Sequence, residues 1–148
     1  MRFDVITLFP ELFQPFMTSG VTRRAFDSGL VEVKLWNLRD FAEGNYRRVD
    51  DRPFGGGPGM VMLAEPLLQC LNAIRAERPD AAPVVLFSPI GERLDHAGVA
   101  RWSASNGAVL LCGRYEGIRS AWGTLSCREG RSLRWYFSML SRDCSLAC

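Results

Sequence analysis

Apolar and polar residues alternate over Arg2–Phe9, with Phe3, Val5 and Thr7 on one side and Ile6 and Leu8 on the other, which predicts a strand. Pro10-Glu11 opens a short helical stretch carrying Leu12, Phe13 and Phe16. Thr22–Ser28 predicts a second short helix, stopped by Gly29. Leu30–Trp36 alternates again, Val31, Val33 and Leu35 facing one way and Glu32 and Lys34 the other. The pattern then lapses: Asn37–Gly59 is a long polar loop, a feature that compact domains keep for function or leave disordered. Glu65–Ala76 restores a helical stripe with Leu67, Leu71 and Ile74, and Pro79–Pro83 is a linker. Val84–Phe87 predicts a buried-type strand ending at Ser88-Pro89, Leu94–Ser103 a helix, and Ala108–Cys112 a second buried strand ending at Gly113. Strands alternating with helices predict an α/β domain with a largely parallel sheet. From Ser120 onward neither the strand nor the helix period is sustained, and no turn or cap is well placed.

With 148 residues, 47% hydrophobic and 23% charged, the chain suits one globular domain with a useful core. No apolar run reaches membrane-spanning length, and Asp4, Pro10 and Glu11 interrupt the N-terminus as a signal peptide would not allow, so a cytoplasmic protein without membrane association is expected. The net charge of +2 is uneven. Arg119, Arg128, Arg131, Arg134 and Arg142 outnumber Glu129 and Asp143 in the last thirty residues, which leaves the body slightly acidic. A nucleic acid would therefore meet the body through a local patch, with Arg23, Arg24, Arg39, Arg47, Arg48 and Arg52 as candidates. Such arginines are more often plain solvated surface. Cys70, Cys112, Cys127, Cys144 and Cys148 form no C-x-x-C pair and there is one histidine, so neither a metal site nor a disulfide framework is expected.

Two stretches carry candidate chemistry. Asp50-Asp51-Arg52-Pro53-Phe54-Gly55-Gly56-Gly57-Pro58-Gly59-Met60 lacks the Gly-Lys-Ser/Thr of a Walker loop and the spacing of a dinucleotide fingerprint. It presents backbone with few side chains, able to approach a planar base or a phosphate; the plain alternative is a flexible loop. The second is Cys112-Gly113-Arg114-Tyr115-Glu116-Gly117-Ile118, and together with Ser88-Pro89-Ile90-Gly91 it follows the end of a buried strand, where open parallel sheets bind ligands. Gly113 and Gly117 allow close backbone approach to a ligand, or φ values other residues resist. Tyr115 offers a flat face and Glu116 a carboxylate for an amine or a base edge, although an ordinary strand-to-helix turn would read the same way. His96, after Asp95, reads as a surface residue, and Cys112 as a small core residue rather than a nucleophile.

Taken with Thr7-Leu8-Phe9-Pro10-Glu11, Gly20-Val21-Thr22-x-Arg24-Ala25, Asn37-Leu38-Arg39-Asp40-Phe41, Val49–Met62, Leu86-Phe87-Ser88-Pro89-x-Gly91 and Leu111–Ile118, the chain resembles the bacterial tRNA (guanine-N1)-methyltransferases of the SPOUT class over residues 1–118. The resemblance implies an α/β SPOUT domain with a trefoil knot, incomplete here, and a homodimer. It implies S-adenosylmethionine as methyl donor, and methylation of N1 of guanosine 37 in tRNA. DNA is not an expected partner. It places cofactor contacts at Ser88, Pro89, Gly113, Arg114, Tyr115 and Glu116, and the target nucleotide near Gly55, Gly56, Gly57, Pro58 and Gly59. Guanine N1 is a poor nucleophile until a general base removes its proton. The family's base is an aspartate beyond the knot, supplied by the other subunit, and no residue here matches it, so the catalytic residue stays unassigned. Two alternatives remain: another SPOUT RNA methyltransferase, and a non-catalytic RNA-binding or dimerisation module.

Residues 119–148 depart from the family, which continues with Asp-Glu/Gln-Arg and later a Gly-Asp and Gly-Gly-Glu stretch. Ser132–Leu140 has neither, and the family's C-terminal tRNA-gripping domain is expected to be absent. A reading-frame shift near codon 119 would account for this: CGA-TCA-GCG, one coding of Arg119-Ser120-Ala121, gives Asp-Gln-Arg when read one base later. A divergent tail is the other possibility. Either way, the expectation is a fragment with little or no methyl transfer.

Overall fold

The computed structural model describes residues 1–78, 80, 82–87, 94–115, 117–120 and 123–126. Strand β1 (Arg2–Thr7) leads through a 3-10 turn (Pro10–Phe13) into two short helices, α1 (Gln14–Thr18) and α2 (Arg23–Asp27), and then β2 (Glu32–Asn37). A second 3-10 turn (Leu38–Phe41), β3 (Asp50–Asp51) and β4 (Val61–Leu63) precede the long helix α3 (Ala64–Glu77). There follow β5 (Val84–Leu86), α4 (His96–Ser103), β6 (Gly107–Leu111), β7 (Gly117–Ser120) and β8 (Gly123–Ser126).

The main sheet has the order β2-β1-β6-β5 and every pair in it is parallel. A second sheet, β3-β4-β7-β8, is mixed: β4 and β7 run parallel, whereas β3–β4 and β7–β8 are antiparallel. The parallel sheet expected from the sequence is therefore present, but the second sheet is not legible in it. Its strands are two to four residues long, too short for a period to show. The hairpin of β7 and β8 corrects the expectation that nothing regular begins at Ser120. The Ser132–Leu140 stretch, where the resemblance expects the knot to be completed, lies outside the described residues.

Helix α3 packs on one face of the main sheet. Its Leu67, Cys70, Leu71 and Ile74 join Ile6, Trp36, Val109 and Leu111 in the core, with Val84 and Leu86 at its margin. The register puts Asp4, Lys34, Val109 and Val84 in one row and Ile6, Trp36, Leu111 and Leu86 in the next, so one face carries all of them. In β2 the core residue is thus Trp36, on the Glu32 and Lys34 side, whereas Val33 and Leu35 on the apolar side are only half-buried. The three residues of β5, expected to be buried, are half-buried because β5 is the edge strand. Nor is residue range 37–59 a simple loop: Leu38 and Val49 are fully buried and pin it to the core.

The oddest occupant of that core face is Asp4, whose side chain is 0% exposed. Trp36 Nε1 donates to its Oδ1 at 2.9 Å, Arg2 Nη2 to the same oxygen at 2.9 Å, and Arg78 Nη1 to Oδ2 at 3.0 Å. Arg78, with a side chain 4% exposed, also donates to the carbonyls of Arg2 at 3.1 Å and Asn106 at 3.3 Å, and to Asp80 at 2.9 Å. Burial alone would raise the Asp4 carboxyl, but the hydrogen bonds from Arg2 and Trp36, the Arg2 charge and Arg78 together hold it below the usual carboxylate range. Next to it, burial and then the Asp4 charge push the Cys70 thiol up to about 12, leaving an inert core sulfur.

Gly107 opens β6 at φ +113°, and a Cβ built there would lie 1.7 Å from the Arg2 carbonyl oxygen. That contact is backbone and cannot rotate away. Gly107→Ala is expected to destabilise the fold by at least about 3 kcal/mol, read by denaturant titration. Asp4→Asn removes the charge that balances Arg78 at nearly constant volume, and a loss of roughly 3–5 kcal/mol is expected. Because the folded Asp4 pKa is depressed, its stabilisation is complete above the ordinary carboxylate value near 3.8 and is lost as pH falls through the folded value. The wild-type melting temperature should accordingly fall as the solution is acidified below about pH 4, and that part of the acid response should be absent in Asp4→Asn.

Candidate functional site

Beyond the carboxyl ends of β1, β5 and β6 the chain turns sharply. Cys112 N–H donates to the Ile6 carbonyl at 3.0 Å, and Phe87 N–H to that of Leu111 at 3.4 Å, which fixes the start of the 112–115 turn between the two strand ends. Gly113 lies there with its α-carbon facing Leu86 of β5 and Met62 of β4. A Cβ added to it would meet Leu86 Cδ1 at 3.6 Å and Met62 Cε at 3.9 Å, ordinary contact distances, and its φ is not in the left-handed region. Of the two reasons the sequence allowed for a glycine here, unusual φ does not apply.

The next two residues point toward other elements. The Arg114 guanidinium sits 5.1 Å above the Phe9 ring centroid. Tyr115 is half-buried, and its phenol interacts with the Asp50 carboxylate of β3. Burial first, then the Asp50 charge and hydrogen bond, raise the phenol pKa, against a lowering contribution from Arg39. Tyr115 thus stays a neutral hydroxyl at physiological pH, able to donate to Asp50. Cys112 is half-buried and its thiol pKa is raised by burial, in keeping with a packing residue.

Asp50 begins the hairpin that carries the glycine-rich loop. β3 and β4 pair as Asp50↔Met62 and Asp51↔Val61, so residues 52–60 form the loop between them. Leu63 N–H donates to the Val49 carbonyl at 2.9 Å, which closes the base. Gly55, Gly56, Gly57 and Gly59 have φ of +81°, +76°, +136° and +91°, conformations that side chains resist. Nothing lies within 4 Å of the Cβ positions of Gly55 and Gly56, so the loop's backbone is open on that side.

The structure therefore brings two separately read motifs together. Gly113 meets Met62, Tyr115 meets Asp50, and both of these partners belong to the hairpin that holds Gly55–Gly59. Asp50 is not among the site residues the sequence points to; its signal there is the acidic pair Asp50-Asp51 directly after Val49, which the structure buries fully. Arg39 joins from the end of β2, where its N–H is held by the Asn37 side chain at 3.1 Å. Arg47 pairs with Asp40 at 3.3 Å and Arg48 with Asp51 at 3.9 Å, both on the surface. Arg23 and Arg24 lie on α2, Arg23 paired with Asp27 at 2.9 Å. His96 is exposed in the first turn of α4. Ser88, Pro89 and Glu116 lie outside the described residues. No described helix is long and apolar enough to cross a membrane.

Comparison with known proteins bears on what this arrangement serves. A family model described as tRNA (Guanine-1)-methyltransferase TrmD matches residues 1–133, further than the 118 residues over which the motifs resemble that family. The tRNA (guanine-N(1)-)-methyltransferase of Paracidovorax citrulli is 75% identical over 122 residues, covering 80% of this chain and 48% of that protein. The protein of the same name from Polaromonas sp. is 76% identical over 122 residues, covering 80% of this chain and 47% of its own. The crystal structure of tRNA (m1G37) methyltransferase from Aquifex aeolicus superposes with a TM-score of 0.72 at 34% identity, over 80% of this chain and 53% of that one. The α/β fold with its parallel sheet agrees with that neighbour's SPOUT-type architecture. The chain spans about half the length of the curated relatives it matches. By the extent of the family match and the identity to these relatives, the chain belongs to the TrmD family of tRNA (guanine-1)-methyltransferases.

Proposed function

We propose that this chain is the cofactor-side part of a cytoplasmic, homodimeric enzyme that transfers a methyl group from S-adenosylmethionine to N1 of guanosine 37 in tRNA. The observation that carries the reading is the convergence of the Gly113 turn and the glycine-rich hairpin on Asp50 and Tyr115, in a chain of this family. Gly113, Arg114 and Tyr115 are the described residues that would hold the cofactor, together with Ser88, Pro89 and Glu116. The exposed Gly113 turn and the half-buried ring of Tyr115 suit a flat, polar nucleoside. When bound, S-adenosylmethionine supplies an electrophilic sulfonium methyl. Gly55, Gly56, Gly57, Pro58 and Gly59 would admit the planar guanine along bare backbone. Removal of the N1 proton needs a general base, which this reading places in a segment beyond the knot and in the partner subunit.

Two measurements test this. In Gly113→Ala the added methyl meets only ordinary contacts, so the melting temperature should stay within about 2 °C of wild type. S-adenosylmethionine affinity, measured by calorimetric titration, should fall about ten-fold or more if the cofactor lies against that backbone, whereas unchanged affinity would remove Gly113 from the site. The 148-residue chain incubated with tRNA and radiolabelled S-adenosylmethionine should transfer little or no methyl. Position-37 N1-methylguanosine formed at multiple turnover would establish the activity and refute the inactive-fragment reading; methylation at another atom or position would refute the proposed specificity.

A further inference from the structure

The stretch Asn37-Leu38-Arg39-Asp40-Phe41 is part of the family resemblance, yet nothing in the proposed function uses it. The fold employs every side chain of it but one. Asn37 Oδ1 accepts the Arg39 backbone N–H at 3.1 Å, Leu38 is 1% exposed in the core, and Asp40 accepts from Arg47 at 3.3 Å. The Phe41 ring packs 6.1 Å from that of Trp36. The Arg39 side chain is exposed and makes no ion pair among the described residues. That separates it from Arg23, Arg47 and Arg48, which each pair with a carboxylate. Arg24 lies on α2 and Arg52 in the glycine-rich loop, whereas Arg39 stands just past the carboxyl end of β2.

Strands β1 and β2 end on one rung, Thr7↔Asn37, and their exits are built alike. The Thr7 hydroxyl accepts the Phe9 N–H at 3.2 Å, as the Asn37 side chain accepts that of Arg39. Phe9 and Arg39 thus each lie two residues past the same rung, on strands about 4.8 Å apart. Over the Phe9 ring sits Arg114, a second exposed guanidinium with no carboxylate partner among the described residues. The Tyr115 phenol, next in the chain, feels the Arg39 charge. Two unneutralised guanidiniums therefore belong to adjoining strand ends, at the end of the sheet where parallel strands present their ligand sites. The nearby carboxylates are engaged elsewhere, Asp40 by Arg47, Asp51 by Arg48 and Asp50 by the Tyr115 phenol. Cations gathered without a counter-charge concentrate anions from solution, and the planar fork of arginine fits phosphate oxygens bidentately.

We infer that Arg39 binds a backbone phosphate of the RNA, next to the target nucleotide. The segment it stands on runs through Val49 and Asp50 into the hairpin assigned to that nucleotide, whereas Arg114 belongs to the cofactor turn. A phosphate contact fixes register rather than sequence. Arg39 would hold the strand so that the target base falls between the glycine loop and the Gly113 turn. This rests on the proposed RNA substrate and adds to it a residue that positions that substrate.

The test titrates the 148-residue chain into a fluorescein-labelled RNA hairpin with a single-stranded loop, by anisotropy, over a series of salt concentrations. Arg39→Gln should weaken binding roughly ten-fold at low salt and reduce the slope of log affinity against log salt by about 0.7, the share of one single-strand phosphate. Arg39→Lys should recover the slope at an intermediate affinity, because an ammonium neutralises a phosphate without forking onto it. Arg47→Gln changes the net charge equally, but its guanidinium already answers Asp40, so it should change the slope less than half as much. S-adenosylmethionine affinity, by calorimetric titration, should be the same in Arg39→Gln as in wild type. Both arginines are exposed, and unchanged circular dichroism will establish that each variant is folded. A wild-type slope in Arg39→Gln would overturn the inference while leaving the RNA substrate in place. Equal losses in Arg39→Gln and Arg47→Gln would reduce the effect to net charge and overturn it too. A fall in S-adenosylmethionine affinity with RNA binding intact would assign Arg39 to the cofactor instead. Failure of the wild-type chain to bind any RNA would overturn the proposed function, and this inference with it.

Discussion

One buried carboxylate joins the parts of this fold that the backbone alone leaves separate. Asp4 stands in the central strand of a parallel sheet and accepts from Arg2 of its own strand, from Trp36 of β2 and from Arg78 just past α3. Arg78 continues the connection to the Asn106 carbonyl at the entrance to β6. A carboxylate removed from water costs several kcal/mol unless its lone pairs are filled and its charge is opposed, and here both conditions are met. Among the described residues no buried side-chain polar atom lacks a partner. The arrangement fixes how α3 meets the sheet more narrowly than apolar packing would, because a helix that slid along its ridge would strand a charge.

The clamp also divides the labour between the two ends of the sheet. Arg2, Glu77, Lys34 and Arg78 cluster where the strands begin, with Lys34 donating to Glu77 at 2.6 Å and lying 4.4 Å over the Trp36 ring. The carboxyl ends are left to turns and to the glycine hairpin. This is the end at which parallel sheets present ligand sites, since successive connections part there and leave a crevice. Rigidity at one end is what lets the other consist of irregular backbone: the 112–115 turn and the 52–60 loop have little regular hydrogen bonding of their own, yet both start from strands that cannot shift.

How much of this was legible depended on element length and on what decided each residue's place. Strands β1, β2 and β6 and helix α3 are long enough for a period, and their patterns predicted them within two residues or so. β3 and β4 span two and three residues, and their pairing is decided by the buried Val49 and by β7, more than fifty residues further on. Trp36 sits on what reads as the polar side of β2 because its ring fills the core while its N–H satisfies Asp4, an arrangement no single strand's pattern contains. The glycine loop and the Gly113 turn were legible as motifs because glycine is informative wherever backbone must be bare. Their meeting through Asp50 and Tyr115 was not, since it depends on the second sheet.

The strand order has a bearing on how such a chain is made. β1 pairs on one side with β2, some thirty residues later, and on the other with β6, more than a hundred residues later. On a ribosome the first of these contacts forms early, with Arg2 and Trp36 already at hand for Asp4, but one edge of that strand waits until Gly107–Leu111 has left the exit tunnel. Arg78, the third partner of Asp4, emerges in the interval. The ion pair that locks the finished domain is thus also available while the sheet is half built, during the stretch of synthesis when its open edge is most exposed to pairing with another nascent chain.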